Sequence, residues 1–127
     1  MLGNAEALWD ANQEELYRLV IEMSGERVEP GTFVVMVRSG EVTSITRNGR
    51  AVLPERTGDY SIDGLFGILH QELELAREPR LLGAPAGYQA YLFARFDPRN
   101  GRLVHYRRTV GGASNDIEIE VVEFEVQ

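Results

Sequence analysis

The residues from Asp116 to the C-terminus change face part-way along. Ile117, Ile119 and Val121 place apolar side chains at every second position, and Val122, Phe124 and Val126 then continue on the opposite parity. A strand with one buried face cannot switch parity without an inserted residue, so a β-bulge is predicted near Val121–Val122. The same pattern fixes a pairing. Setting Val104 and Tyr106 opposite Val121 and Ile119 puts Arg107 opposite Glu118 and His105 opposite Glu120 on the outer face. A chain ending this way has to build an antiparallel sheet with one apolar and one charged face.

The rest of the chain fits that constraint. Asn4 to about Tyr17 reads as a helix, with Ala5, Leu8, Trp9, Asn12 and Leu16 at three- and four-residue spacing. Tyr17, Leu19, Ile21 and Met23 then alternate with polar positions as a half-buried strand does. Thr32–Arg38 is a strand, Ser39-Gly40 a two-residue hairpin turn, and Glu41–Arg47 the return strand. Asn48-Gly49 turns the chain again into a short edge segment, Arg50–Leu53. Ser61 caps a second helix running to about Ala76, whose buried stripe is Ile62, Leu65, Phe66, Leu69, Leu73 and Ala76. Gly64 and Gly67 within it are expected to pack closely on the sheet. Tyr88–Phe96 is apolar on both faces and reads as a central strand. Asp97-Pro98-Arg99-Asn100-Gly101 is a turn, and Arg102–Val110 with Asp116–Val126 form the last hairpin.

The expected fold is therefore α+β in the order α-β-β-β-α-β-β-β, an antiparallel sheet of five to six strands with two helices on one face. Residues 1–127 read as a single domain of two similar halves, about 4–53 and 61–126. Two helices cover only one face of such a sheet, which leaves Val20, Tyr91 and Phe93 on the parity facing away from them.

Composition narrows the chemistry. The absence of cysteine excludes disulfides, thiolate metal sites and a cysteine nucleophile. The absence of lysine excludes a Schiff base and a phosphate-loop lysine, since all 13 basic residues are arginine. A formal charge of −7 argues against general nucleic-acid binding. No apolar run is long enough to span a bilayer. The charge is not spread evenly: residues 95–110 hold five arginines against one acid, residues 116–125 five acids and no base. Adjacent strands pairing those charges is the simplest account.

Several short stretches, taken in order, resemble a bacterial family, the domain-of-unknown-function family 6174. They are Trp9 before Tyr17; Val35-Met36-Val37-Arg38-Ser39-Gly40-Glu41-Val42; Ser61-Ile62-Asp63-Gly64-Leu65-Phe66; the turn Phe96-Asp97-Pro98-Arg99-Asn100-Gly101; and Asn115-Asp116-Ile117-Glu118-Ile119-Glu120-Val121 with Phe124. The resemblance runs from Trp9 to Glu125 and implies a protein often exported or lipid-anchored, with no known activity. It also implies a cysteine pair after the first strand, where this chain has Ser24-Gly25-Glu26. Met1-Leu2-Gly3-Asn4-Ala5-Glu6 has neither a basic start nor an apolar stretch, so no signal peptide is read. The expected address is the cell envelope if a leader has been removed, and otherwise the cytoplasm.

No convergent catalytic set, metal site or cofactor site is visible. His70 and Glu74 have the spacing of two ligands on a helix face, without a third. His105, Asp116, Glu118 and Glu120 form a polar cluster on an exposed strand face, where nothing raises a carboxyl pKa or excludes water. Asp116 is expected to close its turn by a side-chain hydrogen bond. The reading that follows is a non-enzymatic binding or protein-interaction domain, with Tyr91, Phe93, Arg99, Arg102 and Arg108 as its surface and a protein partner or second copy as its occupant. The alternative is a small-ligand carrier or weak hydrolase with a pocket between the second helix and the sheet, drawing on Tyr88, His70 and the acid row.

Overall fold

The computed structural model describes residues 2–26 and 29–127. In chain order they form α1 (Leu2–Ala11), β1 (Leu16–Gly25), β2 (Gly31–Arg38), β3 (Glu41–Arg47), β4 (Arg50–Val52), α2 (Ile62–Arg77), β5 (Ala90–Phe96), β6 (Leu103–Val110) and β7 (Ile117–Val126). Two short 3-10 turns, Pro54–Arg56 and Pro79–Leu82, flank α2 in sequence. The strands make one seven-stranded sheet in the order β4-β3-β2-β1-β7-β6-β5, and every pairing is antiparallel. The architecture is α+β, with one strand more than the upper expected number because the short segment at Arg50 joins the sheet.

The two-residue turns that link β2 to β3 and β3 to β4 use the chemistry the residues dictate. Ser39-Gly40 and Asn48-Gly49 all have positive φ (50°, 79°, 51° and 84°), as a two-residue turn matching strand twist requires. At the centre, β1 joins the two meanders, pairing with β2 on one side and β7 on the other. The β1–β7 register jumps from Ile21↔Val121 to Val20↔Glu123, which leaves Val122 as the inserted residue. The bulge thus falls where the parity switch demands it, and Tyr106↔Ile119, Arg107↔Glu118 and His105↔Glu120 pair as expected.

One face of the sheet is buried. Tyr17, Leu19, Ile21 and Met23 of β1, Phe33, Val35 and Val37 of β2, and Ile117, Ile119 and Val121 of β7 form the core with Trp9 of α1 and Ile62, Leu65, Phe66 and Leu69 of α2. Fully burying each large apolar side chain stabilises the fold by about 1.5–3 kcal/mol, so this cluster is the main driving force. Ser61 caps α2 by accepting from the Gly64 N–H at 3.0 Å, and the Tyr17 hydroxyl accepts from the Ile62 N–H at 3.0 Å. Burial pushes the Tyr17 pKa well up, chiefly by desolvation, so that hydroxyl stays neutral.

Four expectations need correction. Helix α1 stops at Ala11, not near Tyr17, because Leu16 and Tyr17 open β1 and pair with β2 and β7. Strand β5 is not central but the outermost strand. On α2, Leu73 is exposed and Glu72 takes the buried position, only 5% exposed. Neither helix glycine packs on the sheet: a Cβ on Gly64 would lie 1.9 Å from the Asp59 carbonyl oxygen, and one on Gly67 would meet open space.

Gly101 in the β5–β6 turn binds the helix layer to the sheet. Its φ is +80°, and a Cβ there would lie 2.1 Å from the Ala5 carbonyl oxygen and 2.8 Å from the Trp9 nitrogen. Gly101→Ala is expected to lose about 2–3 kcal/mol, since it combines left-handed strain with displacement of α1. Urea unfolding checks this as a lower midpoint at unchanged slope.

Candidate functional site

The sequence-predicted site residues are scattered. Arg108 is not a surface residue: it is fully buried, since Tyr106, Arg108 and Val110 share the inward parity of β6. Its guanidinium donates to both Glu72 carboxylate oxygens at 2.7 and 2.8 Å. It also donates through Nε and NH2 to the Asn115 carbonyl at 3.2 and 3.0 Å, and through NH2 to Asn115 Oδ1 at 3.1 Å. The Tyr106 hydroxyl donates to Glu72 Oε1 at 2.8 Å, and burial drives its pKa strongly up. Every nitrogen of Arg108 is partnered, so this network clamps α2 to the β6–β7 hairpin.

Arg102 is only partly exposed. It lies over the Phe124 ring at 4.9 Å with Nε 3.9 Å from Asp97 Oδ2. Arg99 is exposed and donates through NH2 to Asp97 at 2.9 Å, and this hydrogen bond holds the Asp97 carboxyl below its ordinary pKa. Of the five candidate surface residues, only Tyr91 and Phe93 form a neighbouring pair on one strand.

The polar cluster likewise separates. His105 sits opposite Glu120 in the backbone register, but its Nε2 reaches diagonally to Glu118 at 2.6 Å. Glu120 faces Glu22 across the β1–β7 pair, a like-charge neighbour with no catalytic partner. Asp116 Oδ1 accepts from the Val110 N–H at 3.2 Å, closing its turn. His70 pairs with Glu6 at 2.8 Å and Glu74 with Arg77 at 3.3 Å, so the helix pair is not a ligand pair. Among the described residues no group of three or more His, Asp or Glu side chains could hold a metal ion.

What the structure does bring together lies at β5. Beneath this strand, between α2 and the sheet, is an apolar pocket of about 190 Å³ lined by Leu2, Leu69, Leu73, Leu92, Ala94, Phe96 and Tyr106. Leu92, Ala94 and Phe96 face the helices and are half-buried, whereas Tyr91 and Phe93 face away and are 63% and 56% exposed. Phe93 leans edge-on against His105, 5.8 Å between ring centres.

The backbone of β5 completes the site. The Gly111 N–H donates to the Gln89 carbonyl at 2.9 Å, so Gln89 faces β6. Antiparallel pairing alternates, so Tyr91, Phe93 and Arg95 also bond to β6, opposite Thr109, Arg107 and His105. Ala90, Leu92 and Ala94 therefore turn their N–H and C=O groups outward, along an edge that no other strand among the described residues occupies. At the far end of the sheet the edge is blunted: β4 has three residues and runs into Leu53-Pro54.

No family model matches the chain, and no curated protein matches it. The site is therefore read from its own geometry. Sequence reasoning did not include Glu72 and Asn115. The signal for Glu72 was present, since an acid three residues after Leu69 falls on the apolar stripe of the helix.

Proposed function

We propose that this chain is a non-enzymatic protein-interaction domain that takes up an extended apolar polypeptide segment by strand addition at β5. One observation carries the reading: the outward edge of β5 offers unpaired backbone groups at Ala90, Leu92 and Ala94 directly above an apolar pocket. Strand addition uses main-chain hydrogen bonds for affinity and pockets for alternate side chains for specificity, and both parts are in place here.

A seven-residue peptide of alternating valine and threonine, with an arginine at each end for solubility, serves as the probe. Its addition to isotope-labelled protein is expected to shift the amide resonances of Leu92 and Ala94 and slow their hydrogen exchange. Ala94→Pro removes an outward N–H while sparing the bonds to β6, and is expected to weaken this binding at least tenfold. Shifts elsewhere with β5 untouched would sink the reading.

A second reading, carriage of a small apolar molecule, rests on the pocket alone. The residues of the weak-hydrolase version do not meet there, since Tyr88, His70 and the acid row are all absent from its lining. Binding of p-xylene that shifts the methyl groups of Leu69 and Leu73 while leaving the β5 amides unmoved would favour carriage.

A further inference from the structure

We infer that the segment added at β5 is β5 of a second copy, so that two sheets of seven strands join into one about a two-fold axis at Phe93. This rests on the strand-addition reading above and names its occupant. A long edge strand with apolar side chains is a template for pairing unless it is covered or guarded, and β5 is such a strand at the end of the sheet. Nothing on β5 guards against pairing: it has no proline, one charge at Arg95, and a free edge seven residues long.

The strand is also self-complementary. A two-fold axis makes the same patch meet itself, so residues pair symmetrically about the centre. Antiparallel pairing about Phe93 uses all of Ala90–Phe96 without overhang. Leu92 then faces Ala94 of the other copy, and both have outward backbone groups, so these become hydrogen-bonded pairs. Phe93 meets its own symmetry mate and Tyr91 meets Arg95 at the intervening close pairs, where side chains approach most nearly. Each exposed aromatic ring gains a cross-strand neighbour on its open flank, and each Arg95 guanidinium has a tyrosine face to stack on.

On the opposite face, Leu92, Ala94 and Phe96 of both copies stand side by side, and the two apolar pockets run together beneath the joint strand pair. The flanks of four partly exposed aromatic rings bury apolar surface at the joint, and the pocket rims with Leu73 and Leu2 add to it on both copies, towards the roughly 1,200–2,000 Å² of a specific interface. Slipping the register by one residue, which puts the axis between two residues, turns the hydrogen-bonding groups away from each other. Moving the axis to Leu92 or Ala94 leaves part of the strand unpaired and separates Tyr91 from Arg95.

The chain has no cysteine, so a single one reads the axis directly. Close antiparallel pairs have Cα atoms about 4.5 Å apart, within disulfide range. Phe93→Cys is expected to form a covalent dimer under mild oxidation, and Ser44→Cys, exposed on β3, is not. Sedimentation equilibrium should show a dimer for the unaltered chain. Phe93→Glu, which sets two carboxylates on the axis at an exposed position, should raise the dissociation constant at least a hundredfold with an unchanged circular dichroism spectrum.

A dimer that survives Phe93→Glu and fails to cross-link through Phe93→Cys overturns the inference, because another surface then holds it. A chain that sediments as a monomer at 100 times the concentration expected to saturate the valine–threonine peptide also overturns it. In that case peptide binding at Leu92 and Ala94 would keep strand addition, and loss of both results would remove the two readings together.

Discussion

Replacing Arg108 with leucine is expected to lower folding stability by about 3–5 kcal/mol, the usual consequence of leaving a buried charge without its partner. The arginine is fully buried, and both Glu72 oxygens accept from it. Without it the Glu72 carboxylate keeps, among the described residues, the Tyr106 hydroxyl alone, and Asn115 loses the guanidinium that holds its backbone and side chain. The cost arises from the stranded carboxylate more than from the lost attraction. The double substitution Glu72→Leu with Arg108→Leu should therefore recover most of the loss, since apolar replacements remove both desolvation costs. Urea unfolding of the two single variants and the double variant measures the coupling. A double variant as unstable as the sum of the single ones would show that packing, not charge, dominates at this position.

That network explains where sequence reasoning was right and where it stopped. Parity is a rigid signal. It placed the bulge at Val122 and paired Arg107 with Glu118 because a one-residue error turns every side chain over. The same parity puts Arg108 inside, between Tyr106 and Val110, yet an arginine in an arginine-rich block reads as solvated by composition. Its partner, Glu72, belongs to an element 36 residues away. Only the approach of α2 to β6 shows that two unlikely core residues satisfy each other.

The end of α1 was illegible for a different reason. Leu16 fits the three- and four-residue spacing counted from Asn12, while Tyr17 begins the period-two pattern of β1, so local spacing supports two boundaries. The sheet decides between them, since Leu16 pairs with Arg38 and Tyr17 with both Val37 and Val126. The position of β5 shows the same limit. Apolar residues on both faces carry no information about which strands lie along the two edges, so they do not place a strand within the sheet. The site at β5 was half visible, in Tyr91 and Phe93, but its free backbone edge and the pocket below it are properties of the assembled sheet.

Trp9→Ala is expected to cost about 3–5 kcal/mol, the range for truncating a large aromatic side chain in a core. Trp9 is 1% exposed, and it meets Tyr17 and Phe124 edge-on at 5.6 and 6.1 Å. It is the main side chain holding α1 on the sheet, with only Ala5 otherwise buried in that helix. Trp9→Phe separates packing from the hydrogen bond that the indole Nε1 donates to Asp63 Oδ1 at 3.2 Å. Burial raises the Asp63 pKa and the indole bond lowers it, so the bond favours the charged carboxylate. Without the indole N–H the folded pKa of Asp63 rises further above its unfolded value. Stability tied to a raised carboxyl pKa is present at low pH and lost as the pH climbs through the folded value. The destabilisation caused by Trp9→Phe should therefore be larger at pH 7 than at a pH low enough to protonate Asp63 in both proteins. Urea midpoints across that pH range, in the presence and absence of Asp63→Asn, check the assignment. A penalty independent of pH would mean that the indole contributes only its shape.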